Sequence, residues 1–231
     1  MNLMSRVVGV FFSPRATYAS VAAHPSALGA LVLVTATAVV VNVAFASTAV
    51  GKEALLDVAV RSMESWGMTI SDEMYRVMET RITSRAVRNA VIGQVLFFPV
   101  ASAIIAGLLL GVFTAIMGGN ATFKHVFAVV VHSGLIIGLS QIFVTPLNYA
   151  KGTISAAANL GVFLPFLDEA SFLARFLGSI DLFLIWWLVN LAIGLGVLYK
   201  RRTQPVAMGL LAVYIGIALV VASVLTAISG A

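Results

Sequence analysis

The chain has 231 residues, is 61% hydrophobic and only 10% charged, and carries a formal charge of +5. A soluble domain carries about 25% charged residues, so a water-solvated globule is excluded, and the lack of cysteine excludes disulfides, thiolate metal ligands and a cysteine nucleophile. The basic residues flank apolar runs, where they meet lipid headgroups, and do not point to nucleic acid.

Five long runs hold at most one formal charge each: Ser26–Val50, Asn89–Phe123, His125–Ala150, Phe176–Tyr199 and Thr203–Ala231. A helix needs about 20 mostly apolar residues to cross the hydrocarbon core. Backbone groups in lipid must bond within a helix or a closed barrel, and barrel strands alternate over about 10 residues. The predicted fold is therefore all-α: a polytopic membrane helix bundle with five transmembrane helices, an N-terminal interfacial helix and a helical extramembrane segment between spans 1 and 2. It forms a single domain over residues 1–231. The first run exceeds the roughly 7–15 apolar residues of a signal peptide, so Ala44-Phe45-Ala46 is read as part of a span and not as a cleavage site.

Residues 1–25 contain Arg6 and Arg15 and no acid. Ser13-Pro14 starts a helix, with Ser as N-cap and Pro in the first turn, and Pro25 stops it near Ala23. The segment reads as lying in the interface with aromatics down and arginines up; a disordered tail is the other reading. Span 1 covers Ala27–Thr48, with Asn42 its main polar interruption. Residues 51–88 are hydrophilic. Leu56, Ala59 or Val60, Met63 and Trp66 recur at helical spacing, Asp57 and Arg61 form an i,i+4 pair, and Gly67 ends this helix. Ser71 before Asp72 and Glu73 opens the next, with acids where the helix dipole favours them. Arg81, Arg85 and Arg88 then share a face: candidate headgroup contacts, or a solvated face.

Span 2 lies within Val91–Met117, kinked at Pro99 and broken at Gly118-Gly119-Asn120. Gly107 and Gly111 form a GxxxG pattern; Gly134 and Gly138 form a second in span 3, Val126–Val144, which Pro146 ends. Both are candidate helix-packing sites. Residues 152–167 are too short to span and read as interfacial or re-entrant. Asp168 and Glu169 lead into span 4, which stops at Tyr199-Lys200-Arg201-Arg202, and span 5 follows Pro205.

Five spans place the termini on opposite sides. Residues 1–25, Lys124 and Lys200–Arg202 supply one side with six basic residues and no acid; residues 51–88 and 151–175 supply the other with eight of each. The raw basic count runs eight to six against an inside N-terminus. The six lie in short segments, which the positive-inside rule weights, so the N-terminus is placed in the cytoplasm. This also discounts Asn120-Ala121-Thr122 as a glycosylation site.

Asp181 stands about one and a half turns into span 4, where an acid costs up to about 2.5–3.5 kcal/mol. It is a candidate intramembrane polar site, for a proton, a ligand or a packing contact, or else an interfacial acid that reaches water. His132, in span 3, is a candidate relay partner or a helix–helix hydrogen-bond donor. HExxH, G-x-S-x-G and a Walker loop are missing, as is any His–acid cluster, so no catalytic residue, metal or cofactor is expected.

Phe11-Phe12-Ser13-Pro14-Arg15-Ala16-Thr17-Tyr18, then His24-Pro25, five spans, and Gly178-Ser179-Ile180-Asp181-Leu182-Phe183-Leu184-Ile185-Trp186 together resemble the Yip1 domain family, particularly its bacterial branch. The resemblance covers nearly the whole chain. It implies five spans, a cytoplasmic N-terminus and, for the bacterial relatives, no settled activity. The eukaryotic members associate with Rab GTPases in vesicle traffic, but their long polar N-terminal region has no counterpart in this sequence.

The expected function is a non-enzymatic, multi-pass protein of the bacterial cytoplasmic membrane that organises membranes or partner proteins. Its partners would be membrane lipids, a second copy or other membrane proteins, and not nucleic acid. The alternative is a transporter, channel or lipid-translocating protein using Asp181.

Overall fold

A computed structural model describes residues 1–154, 158–168 and 171–229, with the side chains of Ala115, Ile116 and Ser229 outside the description. The described residues are helical almost throughout. They form α1 (Leu3–Phe12), α2 (Pro14–Ala23), α3 (Leu28–Ser47), α4 (Ala49–Ser65), α5 (Asp72–Leu110), α6 (Phe123–Ser133), α7 (Leu135–Lys151), α8 (Phe172–Gly178), α9 (Leu182–Leu198) and α10 (Thr203–Ser229). A π-helical turn, Gly111–Ile116, extends α5, and a 3-10 turn covers Leu160–Phe163.

Among the described residues, four stretches are long and apolar enough to cross a membrane: Leu28–Ser47, Asp72–Thr114, Phe123–Lys151 and Thr203–Ile228. The predicted span 4 is the shorter apolar helix Leu182–Leu198, with 17 residues. At 1.5 Å per residue it is about 25 Å long, at the lower limit for a span.

The chain divides into two compact units. The first comprises Met1–Ala38, Gln94–Ser140 and Phe183–Val213. Its core is built by Tyr18 and Val21 of α2, Ala106 and Leu109 of α5, Val126, Val129 and Val130 of α6, and Leu191 and Leu195 of α9. The stretch Phe123–Lys151 is the most enclosed of the four, with 67% of its apolar window buried against 22% or less for the others.

The N-terminal segment belongs to this core. It holds a helix, α1, ahead of the predicted one, and the two cross closely: a Cβ on Gly9 would lie 2.1 Å from Thr17 Oγ1. Val10, Tyr18 and Val21 are fully buried. Met4, Val8 and Phe12, spaced one turn apart, form an exposed apolar stripe on α1. The expectation that both arginines point to water fails at Arg6, which is 7% exposed. Its guanidinium donates to the carbonyls of Ser20 (3.2 Å) and His24 (3.1 Å) at the end of α2, where unpaired helix carbonyls favour a cation. The Ser13 side chain does not cap α2; its carbonyl instead accepts from the Thr17 hydroxyl at 3.1 Å.

The second unit comprises Val39–Gly93, Gln141–Leu182 and Tyr214–Ala231. Asn42 donates to Gln141 Oε1 at 3.2 Å, so span 1's polar interruption is paired. Thr48 caps α4, its hydroxyl accepting from Gly51 N–H at 2.9 Å. The joint is too tight for a larger residue, since a Cβ on Gly51 would meet the Phe45 carbonyl at 2.0 Å. Gly67 ends the segment with φ +78°, and Ser71 Oγ accepts from Met74 N–H at 3.2 Å.

Two boundaries differ from the sequence reading. The extramembrane helix and span 2 are one helix, α5, of 39 residues with Pro99 inside it. No glycine or proline interrupts Asp72–Ile92, so nothing in the sequence stops the helix at the polar–apolar boundary. At about 58 Å it is nearly twice the hydrocarbon thickness. Pro146 likewise lies inside α7, which continues to Lys151; membrane helices tolerate proline where neighbours satisfy the freed carbonyl.

Candidate functional site

Asp181 is not inside a helix. The stretch predicted as the first turns of span 4 is broken, with α8 ending at Gly178 and α9 starting at Leu182. Asp181 lies in the break, paired antiparallel with Asn159. Leu160 N–H donates to the Ile180 carbonyl at 2.9 Å and Leu182 N–H to the Ala158 carbonyl at 3.0 Å. Tyr214 of α10 fastens the same joint: its hydroxyl donates to the Ser179 carbonyl at 2.8 Å and accepts from Asp181 N–H at 2.9 Å. Local sequence supplies part of the physical reason. Gly178 weakens helix continuation, and an acid ahead of Leu182 suits the N-terminal end of α9. Glu169 lies outside the described residues; Asp168 is exposed.

His132 is fully buried in α6. Its Nδ1 donates to the Ala128 carbonyl one turn back at 2.7 Å, which fixes Nε2 as an acceptor. Nε2 has no hydrogen-bond partner among the described residues. His132 falls in the first unit and Asp181 in the second, so the two candidate residues of the predicted polar site are held by different local frameworks.

Sequence reasoning missed the buried polar contact at Asn190 of α9. Its amide donates to the Val10 carbonyl at 2.9 Å, and its oxygen accepts from the Tyr18 hydroxyl. Burial pushes the Tyr18 phenol well above its usual range, which keeps it a neutral donor. Nearby on α9, Trp187 donates to Ser133 Oγ at 3.0 Å, while Trp186 meets Phe11 edge-on at 5.9 Å. The one signal in the sequence was an Asn in mid-span, which marks a polar group in need of a partner without naming it.

The four packing glycines divide into two kinds. A Cβ on Gly134 would meet the Phe98 ring at 2.5 Å, and one on Gly138 would touch Val34 at 3.5 Å. An added Cβ on Gly107 or Gly111 of α5 would meet nothing within 4 Å among the described residues. Gly194 of α9, not anticipated, is as tight as Gly134: a Cβ would lie 2.5 Å from Val129 Cγ1. Arg81 and Arg85 line a shallow concavity on α5 together with Arg76, and Arg88, one turn on, is exposed. Asp57 and Arg61 form the predicted pair, Arg61 Nε donating to Asp57 Oδ1 at 3.0 Å, and this guanidinium holds the carboxyl below its ordinary value.

No described cluster of His, Asp and Glu could hold a metal ion. Apolar helices of spanning length around a buried helix–helix core define the class: a helical multi-pass membrane protein. The Yip1 domain matches residues 8–225, and the chain belongs to the Yip1 domain family. No curated protein and no solved structure matches the chain.

Proposed function

We propose that this protein is a non-enzymatic organiser of membranes or partner proteins, acting through helix packing and headgroup contacts, with five spans and a cytoplasmic N-terminus. The observation that carries the reading is the open face of α5. Phe97, Val100, Ile104 and Leu108 are each more than half exposed, and Gly107 and Gly111 leave that helix a shallow surface with no described atom within 4 Å of an added Cβ. Small residues on an apolar helix let a second backbone approach closely. The occupant that fits is a helix from another copy or another membrane protein.

Crosslinking in native membranes tests it. Gly107→Leu is expected to leave the monomer folded, since the added side chain meets nothing within the chain, and to lower crosslinked oligomer severalfold. Unchanged crosslinking in Gly107→Leu would sink the reading.

The break at Asp181 favours a second reading, because discontinuous helices hold the binding sites of many transporters. That reading requires reconstituted protein to move ions, protons or lipid, with the flux abolished in Asp181→Asn. Under the organising reading Asp181→Asn leaves function largely intact.

A further inference from the structure

We propose that the concavity at the α9–α10 turn is a binding site for the phosphate of an anionic phospholipid headgroup. It is lined by Arg15, Lys200, Arg201, Arg202, Thr203 and Gln204 over a floor of Gly196 and Val197. Three separate elements build it. Arg15 comes from α2, the three consecutive cations from the turn, and Thr203 from the first position of α10. Arg15 reaches across 188 residues of sequence to Thr203 Oγ1 at 3.5 Å.

Charge is the first argument. The first unit holds six Lys and Arg residues and no Asp or Glu; every acid of the chain lies in the second unit. Four of the six cations line this one concavity. No carboxylate of their own unit neutralises them, so their mutual repulsion is relieved by an external anion. The arginines of α5 differ, because Glu73 and Glu79 stand on the same helix among them.

Rigidity is the second. Lys200 has φ +53°, the only positive φ at a described non-glycine residue. That position normally takes glycine at a helix C-terminus, and holding a lysine there costs about 1 kcal/mol or more. The turn is nevertheless fixed. Arg201 N–H donates to the Gly196 carbonyl at 2.8 Å, the Tyr199 ring stacks on Phe113 at 5.1 Å, and its hydroxyl bonds Thr114 at 3.0 Å. The cations are therefore presented on a preorganised turn, and the N-terminus of α10 adds its positive dipole end.

The source is a lipid because of what adjoins the charge. Met208, one turn along α10 from Gln204, is 62% exposed. An acyl chain below the headgroup covers it, whereas a soluble phosphate does not. This site deepens the headgroup half of the proposed function and rests on it.

Native mass spectrometry of the full-length protein, titrated with phosphatidylglycerol, phosphatidylcholine or inorganic phosphate, tests the site. Phosphatidylglycerol is expected to bind more tightly than phosphatidylcholine. Arg15→Gln and Arg202→Gln should each weaken it about fivefold, and the double variant about thirtyfold, if each cation near a membrane surface contributes its usual attraction. Met208→Gln, which leaves the charges intact, should weaken phosphatidylglycerol and not phosphate. Because these side chains are exposed, folding is expected to survive, and an unchanged circular dichroism spectrum checks it. Equal affinity for the two lipids, or equal loss in an Arg81→Gln/Arg85→Gln control, would overturn the site. Phosphate that competes with phosphatidylglycerol at equal concentration would overturn its lipid source. If lipid selectivity is lacking while oligomers still crosslink in a Gly107-dependent way, the site alone fails; if crosslinking is lacking, the organising reading fails.

Discussion

Tyr18 and Asn190 show how one polar contact can fasten an N-terminal helix to a membrane helix. Both are buried, and the Tyr18 hydroxyl is the donor to the Asn190 oxygen. Removing the donor leaves the Asn190 oxygen short of a bond in an apolar core, so Tyr18→Phe should cost about 1 kcal/mol. Asn190→Leu strands both the Tyr18 hydroxyl and the Val10 carbonyl and should cost about 2–3 kcal/mol. Denaturant titration in detergent measures both; equal stability of all three proteins would show that the contact contributes nothing. Asp57 offers the opposite case, an exposed pair. Its folded pKa lies below the unfolded one, so its support is present above the unfolded value, about 3.9, and is lost as pH falls through the lower folded value. Carboxyl NMR should place the Asp57 midpoint below an ordinary aspartate, and Arg61→Gln should return it there. The Asp57–Arg61 pair was legible because its spacing is local. The Tyr18–Asn190 contact was not, because nothing in either neighbourhood encodes a partner 172 residues away.

At the scale of elements, the sequence shows apolar runs well and their joints poorly. Span 1, the Gly67 stop and the Ser71 start stand where periodicity and turn chemistry put them. The joint at Asp181 does not. From Phe176 to Tyr199 the run carries a single charge and so reads as one span, while the break is held by Asn159 and Tyr214, brought in from other segments. Pro146 errs the other way, since a residue that ends soluble helices is accommodated inside a membrane one. The same long-range dependence makes the joint vulnerable. Tyr214→Phe removes a donor to the Ser179 carbonyl and an acceptor for Asp181 N–H, about 1–2 kcal/mol of local stability. Hydrogen exchange at the Leu160, Asp181 and Leu182 amides should then speed up about tenfold, with the amides of α6 unchanged. Uniform acceleration would mean that Tyr214 supports the whole fold and not the joint.

Across the whole molecule, the distribution of charge is more informative than its total. A net +5 describes neither unit: one is purely basic, and the other holds all nine acids with eight basic residues. The acid-free set comprises Arg6, Arg15, Lys124 and Lys200–Arg202, the same six residues that five spans would put on one side. A compact unit whose exposed charges are all positive is what cytoplasmic retention of short basic loops favours, despite the larger basic count in the acid-containing segments. Everything turns on whether the 17 residues of α9 cross. They are bracketed by Asp181 before the first turn and Lys200 after the last, so no charge enters the apolar stretch between. The lack of native cysteine makes the test clean. Single cysteines at Asn120, at Ser71 and appended after Ala231 can be probed with a membrane-impermeant maleimide in intact cells. Five spans with the N-terminus inside predict labelling at Ser71 and at the appended cysteine, with Asn120 labelled only after permeabilisation. If α9 does not cross, the appended cysteine joins Asn120 in being protected, and the Lys200–Arg202 turn moves to the side of Ser71. The reverse pattern at Ser71 and Asn120 would mean that the six-residue basic set faces outward, and that acid-free charge does not orient this chain.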